Sequence, residues 1–152
     1  GRRFFGGKLA AALSQQVEQN DELSLDRRSL TTLGGEYAFI RNQAMELRFG
    51  AGAVLNSETY VGEERTESGE IGISAVFDAF DIGDLSLYTG INSYTNPADD
   101  RVRVDIDGRI SWEVISDFFI GFNVIEKYDS APPEGAVERD YQYGFSIGWS
   151  WS

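Results

Sequence analysis

Tyr141, Tyr143, Phe145, Ile147, Trp149 and Trp151 occupy every second position of the chain's last stretch, with Gln142, Gly144, Ser146, Gly148 and Ser150 between them. Side chains of a β-strand leave opposite faces in turn, whereas a helix repeats every ~3.6 residues, so this pattern specifies a strand with two unlike faces. A second stretch alternates in the same way: Val102, Val104, Ile106, Ile110, Trp112 and Val114 against Arg103, Asp105, Asp107, Arg109, Ser111 and Glu113. One side is apolar and the other carries charge of both signs. Weaker alternation over Phe5 to Val17, Ser29 to Phe39, Met45 to Leu55, Gly69 to Phe80, Leu85 to Tyr94 and Phe118 to Lys127 brings the expected count to eight strands. Each is close to the ~10 residues with which a tilted strand crosses a bilayer.

The connections alternate in length. Residues 40 to 44, 81 to 84 and 115 to 117 are tight, while 18 to 28, 56 to 68, 95 to 101 and 128 to 138 are longer and polar. In an up-and-down meander, alternate connections fall at opposite ends, so the short turns share one rim with both termini and the long loops share the other. With Arg139 included, the long segments hold 13 acidic and 5 basic residues, a net of 13 − 5 = 8 negative charges, which predicts an acidic outer rim.

Composition excludes much else. A chain of 152 residues is one domain, expected as a single β-barrel over 1–152, and 17 glycines against 3 prolines suit an all-β protein. Without cysteine or histidine there is no disulfide framework, no thiolate or imidazole metal site and no Ser-His or Cys-His nucleophile. The net charge of −12 argues against nucleic acid as a partner. No stretch approaches the ~20 apolar residues of a membrane-spanning helix, so entry into a membrane would be by strands. The start at Gly1, with neither Met nor a signal peptide, reads as a processed or trimmed product.

Period two reveals two faces without saying which one meets lipid. The polar face is rich in small residues: Ala10, Ala12 and Ser14; Gly50 and Gly52; Gly72 and Ser74; Gly144, Ser146 and Gly148. Glycine weakens a strand unless packing requires it, and the interior of a narrow barrel, which must mix small with large, supplies that requirement. The same face carries Lys8, Glu36, Glu46, Arg48, Glu70, Asp78, Arg103, Asp105, Asp107, Arg109 and Glu113, which predicts ion pairs across a lumen. A lumen charge network of Glu46, Arg48, Arg103, Asp105, Asp107, Arg109 and Glu113 is expected, its role structural. On the apolar face Tyr37, Phe39, Trp112, Phe118, Trp149 and Trp151 gather toward the short-turn rim, as in an interfacial aromatic girdle.

The segment from Leu85 to Trp151 resembles the family of salt-induced outer-membrane proteins, itself a domain of unknown function. The likeness is carried above all by Tyr128, Asp129, Ser130, Ala131, Pro132, Pro133, Glu134 and Gly135, then Arg139, Asp140 and Tyr141, and the closing Gly148, Trp149, Ser150 and Trp151. Over residues 1 to 84 the resemblance is one of strand rhythm only. It implies an outer-membrane β-barrel of a Gram-negative-type envelope, with no catalytic residues to carry over. It also implies further sequence upstream, which would place Gly1 inside a longer barrel. The last strand is similar to the C-terminal signal read by barrel-assembly machinery, with Ser152 after the final aromatic as a departure.

The expectation is therefore a transmembrane up-and-down barrel of about eight strands in the bacterial outer membrane. Its role would be non-enzymatic, structural or accessory, with no catalytic, cofactor-binding or metal residues. Outer-membrane lipid and lipopolysaccharide, barrel-assembly machinery during insertion, and proteins of a larger envelope assembly are its expected partners. One alternative is a soluble barrel holding a small apolar ligand among Phe49, Phe122 and Phe145; another, needing more strands, is a small pore. Asp99, Asp100, Glu58, Glu63, Glu64 and Glu67 are candidates for binding a divalent cation, although solvated loop charge accounts for them and no 12-residue calcium-loop spacing occurs. Arg27 and Arg28 are candidates for lipid phosphates.

Overall fold

Alternating stretches become strands of one antiparallel meander. The computed structural model describes residues 1–5, 7–21, 24–132 and 135–149. Nine strands lie in a single sheet in chain order: β1 (Arg2–Phe5), β2 (Leu9–Asn20), β3 (Leu25–Arg41), β4 (Met45–Tyr60), β5 (Thr66–Ile82), β6 (Leu85–Asn96), β7 (Arg101–Ile115), β8 (Phe118–Asp129) and β9 (Arg139–Trp149). The expected eight-stranded closed barrel is corrected on two points. There are nine strands, and among the described residues no backbone ladder joins the two edges of the sheet.

The extra strand comes from Phe5 to Val17, which divides into β1 and β2. Gly7 turns between them at φ +84°, a left-handed conformation that glycine adopts without steric cost. β1 pairs Arg2–Phe5 with Ala12–Leu9, and the Gly1 amino group donates to the Leu13 carbonyl at 2.6 Å. The N-terminus therefore lies midway along β2 and not at the short-turn rim.

The strands also run further into the polar segments than expected, so the connections at the acidic rim shrink to 21–24, 61–65, 97–100 and 130–138. The physical reason is that Glu18, Asn20, Arg28, Asn56, Glu58 and Tyr60 are buried against partners on other strands, and extended backbone carries them there. At the opposite rim Asn42 holds its turn by accepting from the Ala44 and Met45 amides, both at 2.9 Å.

The sheet is strongly curled. β2 and β8 are six strands apart, roughly 29 Å if the sheet were flat. Yet Lys127 on β8 reaches Glu18 on β2, and Asn20 on β2 donates to Asp140 on β9 at 2.8 Å. Only a sheet wrapped round on its polar face brings these side chains together. The aliphatic and aromatic residues are left on the convex face, where Leu33 is 64%, Ile147 63% and Phe145 67% exposed. Arg28, Glu58 and Arg103 on the concave face are 3%, 4% and 2% exposed.

Candidate functional site

The concave face has two halves. Toward the acidic rim it is filled by charge. Arg28 donates from Nε to Glu58 at 3.1 Å and from Nη2 to the Tyr60 hydroxyl at 3.1 Å, and lies 3.7 Å from both Glu18 and Asp129. Arg101 bridges Glu58, the Tyr60 hydroxyl at 2.6 Å and Asp129 at 2.8 Å. Five elements, β2, β3, β4, β7 and β8, meet in this knot. Below it Arg103 pairs with Glu70 and lies over the Tyr94 ring at 5.0 Å, while Asn56 donates to Glu70 at 3.0 Å. Three buried polar atoms here have no hydrogen-bond partner: Glu18 Oε2, Asn56 Oδ1 and Arg103 Nη1.

The knot sits at the strand ends beyond the apolar residues of the convex face, and the arginines set its protonation. Burial raises the carboxyl of Glu58, but hydrogen bonds and charge from Arg101, with Arg28 and Asn56, hold it below the ordinary carboxylate range. Asp129 is depressed in the same way, burial being outweighed by Arg101, the Ala131 amide and Arg28. Both remain anionic at neutral pH.

Toward the short-turn rim the concave face is hollow. A cavity of about 280 Å³ is lined by small and polar residues, among them Ser14, Thr32, Gly50, Gly72, Ser74 and Asn92. Gly34 and Gly52 face each other across β3 and β4, and a Cβ on Gly34 would lie 2.4 Å from the Ala51 carbonyl oxygen. Here backbone itself forms the wall.

The sequence-predicted charges fall at different places. Arg48 pairs with Glu46 at 3.1 Å and lies 3.8 Å from Glu36, near the short-turn end. Arg103, Asp105, Asp107 and Arg109 are on one face of β7, but among the described residues no ion pair joins them to one another. Arg103 goes across to Glu70 on β5, Asp105 is opposite Lys127 in the β7–β8 register, and Arg109 lies over the Tyr88 ring at 5.8 Å. Asp107 is half-buried, and Glu113 accepts from the Asp117 amide at 3.0 Å in an exposed turn. The residues that dominate the knot, Arg28, Glu58, Arg101 and Asp129, fell in segments expected to be loops. Their signal was available: each lies one to three residues beyond an alternating run, in phase with its polar face.

Tyr37, Phe39, Trp112 and Trp149 are exposed on the convex face, and Phe118 packs on Trp149 at 5.9 Å between ring centres. Trp151 lies outside the described residues, as do Pro133 and Glu134. Phe49, Phe122 and Phe145 are exposed on the convex face. Among the candidate cation ligands, Glu58 is buried in the knot while Glu67 points outward to Arg65 at 2.7 Å, so these acids do not converge. Asp99 is taken up by its own turn, accepting from Asn96 at 2.9 Å and from the Arg101 amide at 3.1 Å. Among the described residues no group of three or more acids is placed to hold a metal ion. Arg27 is exposed on the convex side beside Ser29, Ser57, Thr59 and Arg65, whereas Arg28 is committed to the knot.

A family model described as a protein of unknown function, DUF481, matches residues 1–151. The chain belongs to the DUF481 family. No curated protein and no solved structure matches it.

Proposed function

We propose that this DUF481 chain is an integral β-barrel protein of the bacterial outer membrane with a non-enzymatic, structural or accessory role. The observation that carries the reading is the inverted distribution of polarity: ionic groups buried in the curl, aliphatic and aromatic groups exposed around it. In water, exposing a continuous apolar surface is unfavourable by about 25 cal/mol for every Å², and monomers rarely do so over more than a few hundred Å². Against acyl chains the same surface carries no penalty.

The convex face supports this in detail. Its apolar stretches cover residues 9–17, 33–39, 47–55, 71–79, 85–93, 104–114, 118–124 and 141–149, and no outward-facing residue within them is charged. Their lengths centre on the ~9–11 residues of a transmembrane strand. Aromatic rings at the short-turn ends suit the headgroup level, and polar convex residues such as Arg27, Ser29, Ser57 and Thr59 begin where the apolar stretches stop. Lipid, lipopolysaccharide, assembly machinery and envelope proteins are the partners this reading implies.

The test is partition of the full chain, followed by circular dichroism. A strand-rich spectrum that appears only in detergent or lipid is expected. A monodisperse, strand-rich protein in plain buffer would overturn the proposal.

A further inference from the structure

The two edges of the sheet are β1 and β9. They run in the same direction, so they cannot close the sheet by antiparallel pairing with each other. β2 and β9 run in opposite directions. β1 covers only Leu9–Ala12 of β2, and beyond Leu13 no strand among the described residues pairs with that side of β2. β9 likewise has a partner strand on one side only. Both uncovered edges are long rows of backbone donors and acceptors, which lipid does not tolerate.

We infer that β9 pairs with β2 to close an eight-stranded barrel in the register that sets Asn20 opposite Asp140, and that β1 leaves the edge of β2 as it does so. Where the closed form resides rests on the membrane reading above; the register rests on backbone pairing alone. One row of paired residues runs from Ala10 through Glu36, Gly50, Ser74, Asn92, Asp105 and Lys127 to Asp140. Asp140 is already bonded to Asn20. The row leaves β2 at residue 10 and returns at residue 20, so the barrel's shear is 20 − 10 = 10 residues. For eight strands spaced ~4.8 Å with a rise of ~3.3 Å per residue, that shear tilts the strands by about 41°, within the range that closed barrels use.

Side chains agree with the register. Continuing from Asn20 and Asp140 sets Glu18 opposite Gln142, Gln16 opposite Gly144 and Ser14 opposite Ser146 on the concave face, and Val17 opposite Tyr143 and Leu13 opposite Ile147 on the convex face. No residue changes face. Gln142 already donates to Asp140 at 3.1 Å, and its second amide hydrogen would meet Glu18 Oε2, which has Arg28 at 3.7 Å but no hydrogen-bond donor. Lower down, Ala12 would face Gly148, a place now taken by Arg2 of β1.

The chain has no cysteine, so introduced pairs report alone. Ser14→Cys with Ser146→Cys tests the register, Ser14→Cys with Gln142→Cys is four residues out of it, Arg2→Cys with Ala12→Cys reads β1, and Ser29→Cys with Ser57→Cys verifies the sheet. All four are oxidised both in plain buffer and in detergent, so the medium that folds the protein is learned separately. In the folded state we expect the 14–146 bridge within one molecule, at least about tenfold over 14–142, with 2–12 bridging suppressed. Formation of 29–57 without 14–146 would overturn the inference. So would a 14–146 bridge found only between two molecules, or equal bridging at 14–146 and 14–142.

Discussion

The two halves of the concave face solve the same problem in opposite ways. At the acidic rim, Arg28, Arg101, Glu58, Tyr60 and Asp129 fill the curl with side chains that must be paired because they are buried. At the short-turn rim, Gly34, Gly50, Gly52 and Gly72 leave a hollow bounded by backbone. Both hold a tightly curved sheet, one by tying distant strands to each other, the other by removing side chains that would collide. Curvature of a narrow sheet thus needs either filling that spans it or walls that stand close, and this chain uses one at each end.

The largest effect should come from breaking the filled half. Arg28→Met leaves Glu18, Glu58 and Asp129 short of their shared cation and is expected to destabilise by about 3–5 kcal/mol in equilibrium unfolding, as for other buried pairs. Arg48→Met, in the more open half, should cost about 1 kcal/mol or less. Equal losses would erase the contrast between the halves.

Next in size is the convex face. Ile147→Arg should cost ~2–4 kcal/mol if that position meets mid-bilayer lipid, whereas in water a residue so exposed would change stability within about ±0.5 kcal/mol. Unfolding in lipid vesicles distinguishes the two.

In the hollow half, Gly34→Ala drives a methyl into the Ala51 carbonyl, with an expected loss of about 1–3 kcal/mol. Gly69→Ala, where a Cβ meets nothing within 4 Å, serves as the control and should be near neutral. If both behave alike, the close approach of β3 and β4 is not what glycine provides.

The smallest effect is that of pH on the knot. Glu58 and Asp129 titrate below their unfolded values, so the unfolded chain binds protons first as pH falls. Their contribution is complete above about pH 5 and fades below about pH 4, near the unfolded carboxyl values. The midpoint of unfolding should fall over that window in the parent protein and much less in Arg101→Met, which lacks the depressing cation.

Several features were legible without coordinates. The alternation from Tyr141 to Trp149 and from Val102 to Val114 names the strands and their two faces, because the pleat of extended backbone imposes period two locally. Other features were not. Phe5 to Val17 keeps its alternation through the turn at Gly7, so periodicity alone does not separate β1 from β2. Arg28 and Glu58 read as loop because runs of polar residues usually are; they are strand because a partner 30 residues away buries both. The polar face predicts ion pairs across a lumen without naming the partners: Arg103 finds Glu70, 33 residues distant.

By itself, then, the sequence determined the all-β meander and which side chains share a face, both consequences of short-range backbone sterics. Tertiary structure alone decided which ions meet and that Asn20 comes round to Asp140. Those outcomes depend on strand stagger accumulated across the whole sheet, a sum over every pairing that no local stretch of chain encodes.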